Sequence, residues 1–153
     1  MATSHWASTG ETGSPTVPPG GRVNLTEALD RAPARDDLVV VAGDRFSTSE
    51  LEAITSSTTA ALAERSVGSG DRVAFQLPVS VEAVVLYRAC WRLGAVAAAL
   101  HPRAGSAQVV AALEVLDPVV RVAGPGSPAA ELPGVLDIRS LRGGTEVTPV
   151  SVA

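Results

Sequence analysis

His101 and Cys90 are the two side chains of this sequence best suited to chemistry. His101 follows an aliphatic run at the end of a predicted strand, a place where α/β proteins often put functional groups. No serine, cysteine or acid is tied to it by a motif, and the chain has no G-x-S-x-G nucleophile elbow. The pattern favours a structural hydrogen bond over a general base. Cys90 lies in an apolar helical pattern, which is typical of a small buried hydrophobic residue rather than a catalytic thiol.

Two glycine-rich segments have the composition of phosphate-binding loops. Segment 68–71 (GSGD) follows a predicted helix and precedes a predicted strand, which is the reverse of the order that aims backbone amides at a phosphate. Segment 124–126 (GPG) does follow a strand, but Pro125 and Pro128 remove two amide donors and no clean helix follows. We interpret the first segment as a helix exit and turn. The second leaves nucleotide binding open without favouring it.

The charged residues form no catalytic or metal-binding pattern. No motif holds two carboxylates together as an acid–base pair. Arg88 and Arg92 are four residues apart on a predicted helix, a spacing more typical of a solvated face or an intrachain salt bridge than of an anion site. Two histidines and one cysteine without ligand spacing argue against a metal site. The sequence therefore predicts no catalytic, cofactor-binding or metal-binding residue in this chain.

Composition narrows the functional classes. Hydrophobic residues make up 46% and aromatic residues 3%, so Val, Leu and Ala must fill a core of α/β type. The net charge of −4 argues against nucleic-acid binding, and every basic residue is Arg, which excludes a P-loop lysine or a Schiff base. Segment 81–100 contains Glu82, Arg88 and Arg92 and is a poor membrane span. Residues 1–23 show no signal peptide, and we expect a cytoplasmic protein.

The predicted elements alternate between helices and strands. Three serines are predicted N-caps, and Glu50 completes a capping box with the first of them: Ser47, Ser80 and Ser106. Gly94 and Asp117-Pro118 are predicted helix ends. The first predicted element is a short helix from Asn24, with Glu27 in a capping box, to before Pro33. A hairpin follows, with strand 38–42, turn Gly43-Asp44 and strand 45–46. The remaining elements are a helix from 47 to near 66, a strand over 71–77, a helix over 80–93, a strand over 95–100, a helix over 106–116 and a strand over 119–123.

This order predicts right-handed βαβ crossovers and a layered α/β fold with a mainly parallel sheet and flanking helices, plus a small N-terminal β-hairpin. We divide the chain into a disordered leader over 1–23, an α/β subdomain over 24–123, and a Pro/Gly-rich connecting tail over 124–153. Within that tail only Val135 to Leu141 has the pattern of an ordered strand or turn.

Five short motifs occur in an order that resembles the start of the adenylate-forming enzymes, the AMP-binding acyl-CoA synthetase and ligase family. The motifs are FSTSEL at 46–51, GSGDRV at 68–73, LPVS at 77–80 with Glu82 after it, GAV at 94–96 and the Pro102-Arg103 strand exit. The resemblance covers about 24–124. Val79 replaces a common asparagine, and segment 98–100 replaces a proline-containing exit, which leaves the substrate undefined.

The resemblance implies the N-terminal subdomain of such an enzyme, truncated before the ATP phosphate loop. The parent reaction would be ATP-dependent carboxylate adenylation followed by thioester formation, and we expect this chain to be inactive alone. ATP, Mg and CoA are expected only in a complete parent enzyme, and no cofactor in this chain. The expected partner is the missing remainder of the ligase, or a self-partner through exposed apolar surface. The alternative is a free-standing, non-catalytic interaction module of the same fold.

Overall fold

The structure, a computed structural model, describes residues 25–31, 39–41 and 44–142. The predicted leader over 1–23 and segment 143–153 lie outside this part, so the division into domains stays a prediction. The elements are α1 (Leu25–Asp30), β1 (Val39–Val41), β2 (Asp44–Phe46), α2 (Thr48–Ala63), β3 (Arg72–Gln76), α3 (Val81–Leu93), β4 (Val96–Ala99), α4 (Ser106–Leu116), β5 (Val120–Ala123), a 3₁₀ turn (Pro128–Glu131), β6 (Leu136–Asp137) and a second 3₁₀ turn (Ile138–Leu141).

The main sheet has four strands in the order β4-β3-β5-β6, and every neighbouring pair is parallel. Strand β3 lies in the middle, where Val73 pairs with Ala97 of β4 and with Val120 of β5. Its residues 73–76 are all buried, as expected for a strand covered on both faces. The predicted α/β fold with a mainly parallel sheet is therefore confirmed.

Helices cover both faces of the sheet. On one face, α2 and α3 pack through residues such as Leu62 and Leu86 onto Val73 and Phe75. On the other face, α4 packs through Val109 and Leu113 onto the small residues Ala74 and Ala123. Because side chains alternate along a strand, residues 73 and 75 face α3, whereas residues 74 and 76 face α4. Successive residues of β3 therefore contact helices on opposite faces of the sheet.

The predicted N-terminal hairpin is confirmed, with one boundary corrected. Strands β1 and β2 pair antiparallel, and Val41 lies opposite Asp44. Asp44 is therefore the first residue of the return strand and not the second residue of the turn. Pairing with Val41 places Asp44 inside the return strand. The two connecting residues and Asn24, the predicted cap of α1, lie outside the described part of the chain.

The helix caps follow the prediction in two of three cases. The Ser47 Oγ accepts from the Glu50 N–H (3.2 Å) while Glu50 Oε2 accepts from the Ser47 N–H (2.7 Å), which completes the capping box. Ser80 caps α3 as predicted. The predicted cap Ser106 is wrong, because Gly105 is the N-cap and Ser106 is already helical. The helix starts one residue earlier because the Gln108 side chain accepts from the Gly105 N–H (3.1 Å).

Two helix ends agree with the prediction, whereas α2 ends at Ala63, before the predicted end near 66. Gly94 ends α3 in the left-handed region (φ 68°), and Asp117 ends α4 with φ 40° before Pro118. Strand β6 falls inside the segment predicted to be ordered and adds a parallel strand next to β5. No helix in the described ranges combines the length and apolar character needed to cross a membrane.

Candidate functional site

The carboxyl edge of the parallel sheet is the place to look for a site. Strands β3, β4 and β5 all end at this edge because they run in the same direction. In open α/β sheets, ligands bind in the crevice between adjacent strands whose connections leave in opposite directions. Here that crevice lies between β3, which leads to α3 on one face, and β5, which leads to a 3₁₀ turn that contacts α4 on the other.

The side chain of Gln76 lies in this crevice. Its side chain is fully buried at the end of β3. The Nε2 group donates to the carbonyl oxygens of His101 (3.1 Å) and Ala104 (3.0 Å), and Oε1 accepts from the buried Ala129 N–H (2.9 Å). One amide side chain therefore ties the end of β3 to the loops that follow β4 and β5. The crevice is therefore occupied, at least in part, by a hydrogen-bonded protein side chain.

The GPG segment at 124–126 completes the closure. The Gly124 N–H donates to the Gln76 carbonyl (3.2 Å), and the Ser127 hydroxyl donates back to the Gly124 carbonyl (2.9 Å). A Cβ at Gly124 would lie 3.1 Å from Leu77 Cδ2, so a side chain here would require Leu77 to shift. The segment leads into the 3₁₀ turn Pro128–Glu131 and not into an α-helix. It is a packed turn without the geometry of a phosphate loop.

An open groove of about 400 Å³ lies beside the closed crevice, between the β4 exit loop and α4. Its lining is Leu100, His101, Arg103, Ala104, Gln108, Val109 and Ala112. His101 Nδ1 accepts from the Arg103 backbone N–H (3.1 Å), which is the structural hydrogen bond that the sequence favoured. No ion pair of the Arg103 guanidinium occurs within the described ranges. The groove has hydrogen-bond donors for a polar or anionic group, but its lining contains no nucleophile and no carboxylate.

The GSGD segment at 68–71 is a turn, as predicted. Asp71 Oδ2 accepts from the Gly68 N–H (2.8 Å), and the Gly70 N–H donates to the Gly94 carbonyl (2.9 Å). Gly70 has φ 85°, a left-handed conformation that favours glycine. The segment connects α2 to β3 at the amino edge of the sheet, opposite the carboxyl edge, and its Gly68 and Gly70 amides are bonded to other protein groups.

Arg88 and Arg92 form intrachain salt bridges. Both donate to Glu52 of α2 (3.3 and 2.6 Å), and Arg92 also reaches Asp30 of α1 (2.8 Å). The hydrogen bond from Arg92 lowers the pKa of Glu52, and the same contact raises the pKa of Arg92. The network joins three helices, so these arginines stabilise the scaffold and do not present a cationic face to a ligand.

Cys90 is buried in the core between α3 and the sheet. Burial raises the pKa of its thiol to about 12, so the reactive thiolate is scarce at neutral pH. Within the residues that the structure describes, no group of three or more His, Cys, Asp or Glu side chains could hold a metal ion. Gln76 is a residue of this site that the sequence patterns did not single out. The available signal was a polar residue at the end of an otherwise aliphatic strand, RVAFQ.

The sheet order, the two helical layers and the closed crevice define a parallel α/β scaffold, and comparison with known proteins identifies its family. The family model described as "AMP-binding enzyme" matches residues 25–151. This chain therefore belongs to the AMP-binding enzyme family, as the sequence motifs indicated. No protein of curated function matches the sequence.

Several solved structures share the fold. ATP-bound MatB from Rhodopseudomonas palustris is 28% identical with a TM-score of 0.66, and the match covers 79% of this chain and 28% of MatB. The N-terminal subdomain of Klebsiella oxytoca NpsA in complex with 3-hydroxybenzoyl-AMSN is 20% identical (TM-score 0.68; 79% and 32% covered). Bacillus subtilis o-succinylbenzoate CoA synthetase (MenE) in complex with the acyl-adenylate intermediate OSB-AMP is 19% identical (TM-score 0.66; 79% and 26% covered).

The chain thus spans about a third or less of the proteins it resembles. The two comparisons near 20% identity concern the fold alone. The prediction that this chain carries no catalytic, cofactor-binding or metal-binding residue stays a prediction.

Proposed function

We propose that this chain is the N-terminal scaffold of an AMP-dependent acyl-CoA synthetase or ligase and is catalytically inactive alone. The observation that carries the proposal is the family match over residues 25–151. The complete enzyme would activate a carboxylic acid as an acyl-adenylate and transfer the acyl group to a thiol. This chain would supply a rigid parallel sheet against which the catalytic region is held, in the cytoplasm.

The residues that the structure describes do not form a site that fits a nucleoside triphosphate. Stabilising the phosphates during adenylation requires cations aimed at the developing charge. The chain has no Lys, and the usual ligand crevice is filled by Gln76. Six arginines in the described part of the chain are engaged in ion pairs: Arg31, Arg72, Arg88, Arg92, Arg139 and Arg142. We therefore place ATP, Mg²⁺ and CoA with the complete enzyme and derive no catalytic step here.

Carboxylate-dependent exchange of pyrophosphate into ATP tests the inactivity of the chain. The purified chain is incubated with ATP, Mg²⁺ and a panel of carboxylic acids, with an intact adenylate-forming enzyme as the positive control. We expect no exchange above the protein-free blank for any acid. Exchange that depends on both the chain and an acid would overturn the proposal, because it would require a phosphate site that the described residues do not form.

The reading frame around the coding sequence tests the assignment to a ligase. We expect a Ser/Thr/Gly-rich segment ending in Lys, either later in the same frame or in a neighbouring gene, because phosphate binding must be supplied from elsewhere. If no such segment occurs and the purified chain behaves as a stable monomer, the free-standing interaction module explains the protein better.

A further inference from the structure

Strand β4 leaves one side of the sheet open. It is the terminal strand in the order β4-β3-β5-β6. The N–H groups of Val96 and Leu100 donate to carbonyls at β3, those of Asp71 (2.7 Å) and Phe75 (2.8 Å). Since successive residues of a parallel strand bond to alternate sides, the N–H and C=O groups of residues 97 and 99 point away from β3. Within the described residues, no strand pairs with that side.

The two edge strands of the sheet differ in the features that prevent a further strand from pairing with them. Natural edge strands are usually short or carry charge, proline or a bulge. Strand β6, at one edge, has only two residues, and one of them is Asp137. Strand β4, at the other edge, is Val-Ala-Ala-Ala without charge or proline, and its Val96 is 50% exposed. An unprotected apolar edge of this kind indicates a position for another strand.

Helix α3 adds aromatic surface beside this edge. One flank of α3 packs on α2, through Arg88 and Arg92. The other flank carries Tyr87 and Trp91, whose rings lie 5.8 Å apart, and Trp91 is 38% exposed. Tyr87 also packs edge-on against Phe75 of the sheet (5.1 Å). Because α3 contacts β4, this aromatic pair flanks the open edge on one face of the sheet.

Helix α4 adds apolar surface on the opposite face. Ala112 lines the groove beside the β4 exit loop. Val115 lies one turn further along the same side of α4 and is 87% exposed. The open edge therefore has uncovered apolar groups in all three layers. We name these residues the β4 surface: Tyr87, Trp91, Val96, Ala97, Ala99, Ala112 and Val115.

We propose that the β4 surface is where the remaining region of the ligase docks, by adding a strand to β4 and covering both flanking helices. This proposal rests on the proposed function. Its support is that roughly two thirds of the NpsA N-terminal subdomain chain has no counterpart here, although that chain shares this fold. A second copy of this chain is the other candidate occupant, and the crosslinking experiment below distinguishes the two.

Site-specific photo-crosslinking tests the docking surface. The tagged chain carries p-benzoylphenylalanine in place of Val96, or in place of Val79 as the matched control. Val79 lies outside the β4 surface and is 81% exposed, more than Val96. Each version is produced in the organism that encodes the chain and is irradiated, and the linked peptides are identified by mass spectrometry. We expect the Val96 position to link at least tenfold more to an adenylate-forming protein, or to a later segment of the same polypeptide, than the Val79 position.

The possible outcomes separate the two proposals. Links to a ligase from Val79 but not from Val96 would refute the β4 surface and keep the proposed function. Links from Val96 to a second copy or to an unrelated protein would refute the docking of a ligase region here. No link to a ligase sequence from either position would count against the proposed function itself.

A proline variant gives a second measurement. Ala99→Pro removes an N–H that faces the open side, whereas Ala98→Pro removes one that faces β3. We expect Ala99→Pro to abolish the Val96 crosslink while its urea midpoint stays near the wild-type value, and Ala98→Pro to lower the midpoint. An undiminished Val96 crosslink in a folded Ala99→Pro chain would refute strand addition. If Ala99→Pro does not fold, the comparison of Val96 with Val79 decides.

Discussion

Replacing Gln76 with Met is predicted to destabilise the scaffold strongly while keeping its shape. Methionine has nearly the volume and length of glutamine, so the core is neither emptied nor overpacked. The variant loses the hydrogen bonds to His101, Ala104 and Ala129. A hydrogen bond contributes about 1 kcal/mol net, and an unpaired buried donor costs more. We expect the free energy of unfolding to fall by about 3 kcal/mol, with the buried Ala129 N–H the most costly group.

Urea unfolding monitored by circular dichroism measures this loss. Gln108→Met is the matched control, because Gln108 is exposed and its side chain accepts a single hydrogen bond, from the Gly105 N–H. We expect Gln108→Met to lower the free energy of unfolding by less than about 1 kcal/mol. The midpoint of the Gln76 variant should fall with an unchanged slope, and the Ala129 amide should exchange faster with solvent. A Gln76→Met chain as stable as Gln108→Met would refute the idea that this amide ties the two loops to β3.

Two further predictions concern the scaffold. Gly94→Ala should lower the free energy of unfolding by about 1 to 2 kcal/mol, because Gly94 has φ 68° and its new Cβ would lie 3.1 Å from Ser69 Oγ. Gly105→Ala should lower it little, because Gly105 has φ −73° and open space around it. Equal urea midpoints for the two variants would contradict this prediction. The Glu52–Arg92 contact lowers the pKa of Glu52, so its stabilisation is present above the unfolded pKa of 4.5 and is lost as pH falls through the folded value. Glu52→Gln should therefore be less stable than wild type at neutral pH and nearly equal at acid pH, and a difference that persists at low pH would refute this.

Local patterns were sufficient for most of the fold. The capping box of Ser47 with Glu50 and the left-handed exit at Gly94 involve residues close in sequence, so the sequence predicts them directly. Asp44 and Ser106 were each placed one residue away from their observed position, because a strand pair and a hydrogen bond to the Gln108 side chain set those boundaries. The end of α2 at Ala63 also came before the predicted end near 66. Boundaries of this kind depend on which neighbour supplies a hydrogen bond, and the local pattern does not specify that neighbour.

The carboxyl edge was predicted less well, because its contacts are long-range. Gln76 finds its partners 25, 28 and 53 residues away along the chain. In the sequence it is a single amide that ends an aliphatic strand, which does not distinguish a buried tie from a solvated strand end. The partners of Arg92 were equally hidden, because Glu52 and Asp30 lie on two other helices.

The amino-acid sequence by itself determined the order of the elements, the aliphatic character of the core and the absence of any lysine-dependent chemistry in this chain. These properties follow from local periodicity and composition. Only the tertiary structure decided that β3 lies between β4 and β5, that the crevice at their ends is filled, and that β4 remains open on one side. The physical reason is that strand order depends on how the helices pack on the two faces of the sheet. That packing balances contacts between residues far apart in the sequence.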